Sequence, residues 1–267
     1  MPQVLINGGV MSLFILHLGG SKLEVGAVFT MNFLSQIIRV IAAPHVDVVS
    51  RKRMVLLFFV IGAVLFGGLF AAFPLFAVFG SRVAIWYVIV IFLAQRVATN
   101  IGASAWLPLL SDILPPSLRG RFFGRMRATF QTTSLLGILL AGWYLGKDPG
   151  HGHFALIFGV LFLLTALRPW FLRKFPDPPP TRQGPREPLL QNLLRPLQDT
   201  QFRKFLVFWA ALAATVNLAR PFAVPFLKTD LGFPSSFTIF SSAGLAAGMV
   251  LTLIPWGRLA DRVGNRV

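Results

Sequence analysis

The chain has 267 residues, of which 55% are hydrophobic and only 13% are charged, and its mean hydropathy is +0.71. A soluble globular domain carries about 25% charged residues. Water therefore cannot be the solvent for most of this surface, and much of the chain must face lipid. The lack of cysteine excludes disulfides, thiolate metal sites and a cysteine nucleophile.

Eight apolar stretches follow one another along the chain, and each is a candidate membrane span, since a span needs about 20 mostly apolar residues. In chain order they cover residues 4–18, 25–43, 54–76, 84–107, 122–145, 153–172, 205–227 and 237–256. The first is short and the fifth has a polar start. The pattern predicts an all-α polytopic membrane protein with about eight transmembrane helices, the first six of which form one bundle.

The net charge of +16 fits either a nucleic-acid-binding protein or the basic cytoplasmic loops of a membrane protein. The position of the charge decides between them. Most of the 25 Lys and Arg residues lie in every second connector, namely those after spans two, four, six and eight. This is the positive-inside pattern. We therefore expect no nucleic-acid partner, a location in the inner or plasma membrane, and a cytoplasmic N-terminus and central linker.

The chain divides at a long proline-rich connector. We expect a six-helix bundle over residues 1–175 with an incomplete first helix, a cytoplasmic linker over 176–202, and the first two helices of a second bundle over 203–267. The connector after span eight resembles the one after span two, which suggests that spans seven and eight repeat spans one and two. We therefore expect the sequence to be a fragment of a larger two-bundle protein.

Residues 257–266 read Gly-Arg-Leu-Ala-Asp-Arg-Val-Gly-Asn-Arg. They closely resemble G-x-L-x-D-R-x-G-x-[RK], the signature loop of the major facilitator superfamily, and the connector after span two carries a degraded copy. In that family the loop helps to lock the cytoplasmic gate, with its Asp at a helix N-terminus, where the helix dipole favours a carboxylate. The resemblance thus implies gating roles for Asp47, Arg51, Gly257, Asp261 and Arg262.

The fourth span and the connector after it are similar to the same family. Arg96 is followed by glycine and small residues, and residues 111–125 resemble the family's D-x-x-P-x-x-x-R-G loop. This resemblance adds Asp112 and Arg119 to the gating candidates. The proline–glycine motif that drug antiporters carry in the fifth span is absent, which argues against that branch of the family.

Arg39, Arg96 and Arg220 lie inside predicted spans, where charges are costly and usually functional. Arg96 is the deepest and favours a cavity role, whereas Arg39 either lines the cavity or snorkels towards the cytoplasmic face. None of the nine acidic residues lies in mid-span, so the cavity should attract an anionic or polyhydroxylated solute. Neutral polar residues near these arginines either join the substrate site or link helix to helix. They are Asn32, Gln36, Asn100 and Asn217.

These features predict a secondary active transporter that moves a small solute by alternating access. We expect a monomer, and coupling to a proton or a sodium ion remains open. The alternatives are a membrane-embedded enzyme and a receptor-like membrane protein without transport. No acid–base groups converge inside the spans, and the pair His151 and His153 lacks a third ligand. We therefore expect no enzymatic activity, no cofactor and no metal site.

Overall fold

A computed structural model describes residues 9–43, 46, 50–178, 195–244, 247–248 and 251–252. These residues are almost entirely helical, and no strand occurs among them. The helices are α1 (Gly9–His17), α2 (Lys22–Ala42), α3 (Arg51–Phe79), α4 (Ser81–Ile113), α5 (Pro116–Leu145), α6 (His151–Leu172), α7 (Thr200–Asp230) and α8 (residues 235–244). The prediction of an all-α polytopic bundle is confirmed.

Five of the described helices, α2, α3, α4, α6 and α7, are long and apolar enough to cross a membrane. The described part of α1 has 9 residues, and α5 has 30 but begins with a basic, polar segment. The helices extend a few residues beyond the predicted apolar stretches, because polar residues at their ends continue the helical backbone. Helix α4 ends where Leu114 turns to an extended conformation before Pro115, as the residue before a proline usually does.

Short turns join α3 to α4, α4 to α5 and α5 to α6, and these helices run in alternating directions. We call the end where α2, α4 and α6 finish the basic end, because it carries Arg51, Arg119 and Arg173. At the opposite end, Gly80 is the single residue between α3 and α4, and its φ of +81° suits glycine. Ser21 starts α2 with a capping box that includes Glu24, and the side chain of Asp199 caps the start of α7.

The main core surrounds α1, whose residues from Gly9 to Ile15 are all buried. The Phe14 ring lies edge-on to the Phe158 ring of α6, with the centroids 4.9 Å apart. Helices α3 and α4 pack closely along their length because glycine lies where they meet. A Cβ on Gly102 would lie 2.9 Å from ring carbons of Phe59. A smaller apolar cluster joins α3, α4 and α6 near the basic end.

Helices α7 and α8 contact the first six helices mainly at the opposite end. Lys22 binds both carboxylate oxygens of Asp230 at 2.6 and 2.7 Å, and Lys228 lies 3.2 Å from Asp148. The backbone N–H of Ser236 donates to the Gly146 carbonyl at 2.7 Å. Towards the basic end, by contrast, α7 is largely exposed from Thr200 to residue 216. The described contacts of α7 and α8 with the first six helices therefore lie mainly at the end opposite the basic end.

Candidate functional site

A network of polar side chains joins α2 to α4, in which Ser35 and Asn100 are buried and Arg39 is exposed. The Arg39 Nε–H donates to Asn100 Oδ1 at 2.7 Å, and Asn100 Nδ2 donates to Ser35 Oγ at 2.9 Å. The Ser35 hydroxyl donates in turn to the Asn32 carbonyl at 2.8 Å. These residues meet because Asn32, Ser35 and Arg39 recur at helical spacing on α2. A short 3₁₀ turn at Ser35–Ile37 lies within the same segment.

Arg96 lies beside this network, at the middle of α4. Its side chain is 4% exposed, and neither its Nε nor its Nη2 has a hydrogen-bond partner among the described residues. The guanidinium carbon lies 5.0 Å from the centre of the Phe92 ring, and the nearby positive charge that acts on it is that of Arg39. A buried cation without a partner is costly in an apolar interior. The site therefore has free donors and excess positive charge.

Sequence reasoning missed two polar residues of α4, Gln95 and Thr99. Gln95 Nε2 donates to Thr99 Oγ1 at 3.0 Å, and the Thr99 hydroxyl donates to the Gln95 carbonyl at 2.8 Å. Gln95 is 3% exposed, and its Oε1 has no partner within the described chain. The only signal in the sequence is that Gln95 and Thr99 directly precede Arg96 and Asn100. Successive side chains on a helix are rotated by about 100°, however, so Gln95 and Thr99 face a different side of α4.

The other predicted substrate residues lie apart from Arg96. Gln36 is exposed on α2, and Asn32 takes part through its backbone carbonyl. On α7, Asn217 Nδ2 donates to the Ala213 carbonyl at 2.8 Å, so this amide is bonded within its own helix. Arg220 is exposed, and in the described part of the chain no hydrogen bond or ion pair links it to the α2–α4 network. The roles of these residues remain predictions.

The predicted gating residues fall into two groups. Arg51 at the start of α3 forms an ion pair with Asp112 near the end of α4. Arg119 donates to the carbonyls of Ser111 at 2.7 Å and Leu114 at 3.2 Å, so it covers the end of α4. The other predicted gating residues lie outside the described residues, and they are Asp47, Gly257, Asp261 and Arg262.

The basic end of the first six helices is held by further polar contacts. Ser50 Oγ donates to Asp177 at 2.6 Å, and Lys52 Nζ donates to the Phe175 carbonyl at 2.5 Å. These contacts join the start of α3 to the segment that follows α6. Together with the pair formed by Arg51 and Asp112, they connect α3, α4 and α6 into one unit.

The family model for the Major Facilitator Superfamily matches residues 4–267, almost the whole chain. The chain belongs to this family. Its members are membrane transporters of small solutes, so membership shows a multi-pass membrane protein with a general transport function and agrees with the resemblance of the loop motifs. No curated protein and no solved structure matches the chain significantly.

Proposed function

We propose that this member of the superfamily is a secondary active transporter for a small anionic or polyhydroxylated solute, moved by alternating access. The observation that carries the proposal is Arg96, a buried guanidinium with free donors at the middle of α4. A solute with carboxylate, phosphate or several hydroxyl oxygens would accept from these donors and offset the charge.

The charges around Arg96 support an anionic or oxygen-rich solute over a cation. Arg39 adds a second positive charge and is oriented by Asn100, while Asn100 is held by Ser35. No ion pair connects either arginine to a carboxylate within the described chain. A cation entering such a site would be repelled, whereas an anion would be attracted and could be held by two guanidinium groups.

The asymmetric contacts of α7 support the alternating-access part of the proposal. We assign the basic end to the cytoplasm because basic loops remain on that side. On this assignment, the ion pair of Lys22 with Asp230 links α7 to α2 at the outer end. Opening of the outer end would require the ion pairs there to separate.

The ion pair of Arg51 with Asp112 has a different role in this scheme. Both residues belong to the first six helices, so their contact does not cross between the two moving parts. It would keep the first bundle rigid while α7 and α8 move against it. On this view the pair contributes to gating through the integrity of the first bundle.

Uptake into proteoliposomes tests the proposed function. The protein is reconstituted, and radiolabelled monocarboxylates, dicarboxylates, organic phosphates, sugars and organic cations of similar size are compared. We expect saturable uptake within the anionic or polyhydroxylated groups and none of the cations. Saturable uptake of cations alone would refute the substrate class. Binding of a solute without any flux would refute transport and favour a receptor-like function.

A further inference from the structure

A cavity lies beside α4, lined by residues of α3, α4, α5 and α6 towards the basic end. Its volume is about 880 Å³, within the range of about 300 to 1,000 Å³ that ligand pockets occupy. It exists because the first half of α5 stands away from its neighbours. Every buried residue of α5 lies from Ser134 onwards, in its second half.

The walls of this cavity combine aromatic and apolar surface with two arginines. Phe123, Phe130 and Phe171 contribute rings, and Arg127 and Arg168 contribute the charges. No acidic residue is among the described lining residues. The cavity therefore has an amphiphilic character with a positive local charge.

Arg168 is the central cation of the cavity. Its guanidinium carbon lies 3.6 Å from the centre of the Phe59 ring, a close cation–π contact, and 5.9 Å from that of Trp106, near the outer limit of about 6 Å for such a contact. Within the described part of the chain, Arg168 forms no hydrogen bond and no ion pair. Its donors are therefore available to an anionic oxygen.

Gln95 lines the inner end of the same cavity, is 3% exposed, and has an Oε1 without a hydrogen-bond partner among the described residues. Gln95 and Trp106 are separated along α4 by about 16 Å, at 1.5 Å per residue. The cavity thus runs from the bundle interior to the level of Arg168. Arg168 lies four residues before the end of α6, about 6 Å from it, which is the depth at which a basic residue meets lipid headgroups.

We infer that this cavity binds an anionic phospholipid from the leaflet at the basic end, with its phosphate on Arg168 and Arg127 and an acyl chain along the phenylalanine rings. Charge complementarity favours an anion, and the apolar walls favour one that carries a hydrocarbon chain. The outer rim includes the exposed side chains of Leu107 and Leu164, so a lipid enters sideways from the bilayer. The site is separate from Arg96, which faces α2, and it does not depend on the proposed transport function.

Native mass spectrometry of the purified protein tests this inference. The protein is incubated with equimolar phosphatidylglycerol and phosphatidylcholine of identical acyl chains, and the bound lipids are counted after activation. We expect one phosphatidylglycerol to be retained about tenfold more than phosphatidylcholine. Arg168→Gln should abolish this preference, and Arg168→Lys should retain part of it. Arg125→Gln is the matched control, since Arg125 lies on α5 near the same end but does not line the cavity.

Three results would overturn the inference. The first is equal retention of the two lipids by the unmodified protein. The second is an unchanged preference in every one of the variants Arg168→Gln and Arg127→Gln that folds. A competition experiment distinguishes binding of a lipid from binding of a free anion. Inorganic phosphate at millimolar concentration should not displace the lipid. Full displacement is the third contrary result, because it would show that the site recognises the phosphate group without the hydrocarbon chain.

Discussion

Arg39 of α2 donates its Nε–H to the side-chain oxygen of Asn100 of α4 at 2.7 Å. The bond joins the two helices inside the bundle and holds one guanidinium beside a second one, that of Arg96. The two positive charges repel each other. The hydrogen bonds through Asn100 and Ser35 hold Arg39 in place against this repulsion. The arrangement holds two donors ready for an anionic oxygen and is the basis of the proposed solute site.

The neutral amide of Asn100 should be essential to this balance of charge. Asn100→Asp keeps the size of the side chain and places a carboxylate next to Arg39 and Arg96. The carboxylate would offset the positive charge that attracts the solute, so we expect the KM for an anionic solute to rise about tenfold, equivalent to about 1.4 kcal/mol. The measurement is uptake into proteoliposomes. Asn100→Ser serves as the neutral control with a smaller expected effect, and an unchanged KM in Asn100→Asp would contradict the charge argument.

Close contact of α3 with α4 should make Gly102 intolerant of larger residues. A Cβ there would lie 2.9 Å from the Phe59 ring, so Gly102→Val should lower the free energy of unfolding by about 1 to 3 kcal/mol. Gly124→Val is the matched control, because no heavy atom lies within 4 Å of a Cβ built there. Thermal unfolding in detergent provides the measurement. Equal melting temperatures for the two variants would show that α3 and α4 are not packed this closely.

The ion pair between Arg51 and Asp112 should stabilise the basic end of the first bundle. Both side chains are largely shielded from solvent, with exposures of 10% and 23%. Each single alanine substitution should lower the melting temperature, and the double variant should show a coupling energy of about 1 kcal/mol. The charge swap, Arg51→Asp with Asp112→Arg, should recover part of the loss. Additive single effects would mean that the two residues do not interact.

The contact of Lys22 with Asp230 should break during transport. Because the chain lacks cysteine, Lys22→Cys combined with Asp230→Cys creates a unique pair of reactive groups. We expect a short bis-maleimide to link the two cysteines. The link should stop solute uptake because it keeps the outer end, which lies opposite the basic end, closed. Lys22→Cys alone, treated in the same way, should remain active. Full uptake by the cross-linked protein would show that this end does not open during the cycle.

The sequence predicts the helices well because a span of apolar residues allows only a helix in lipid, where every backbone group needs a partner. It also identifies Arg96 and Asn100, since polar residues inside an apolar helix are rare and costly. It cannot show that Gln95 and Thr99 face the cavity lined by α3, α4, α5 and α6. That result depends on how far α5 stands from α4, which is a matter of tertiary packing. Arg168 lies close to the end of a span, where the sequence alone does not distinguish it from the basic connector that follows, although its guanidinium lies over the Phe59 ring.

The most direct test of the account is uptake of an anionic or polyhydroxylated solute by proteoliposomes that contain the unmodified protein, Arg96→Lys or Arg96→Ala. The account predicts saturable uptake by the unmodified protein, a partial loss for Arg96→Lys, which keeps the charge but not the planar donors, and a loss of at least tenfold for Arg96→Ala. Size-exclusion profiles and melting temperatures should show that both variants fold. Uptake unchanged in both variants would remove Arg96 from the solute site and contradict the central claim.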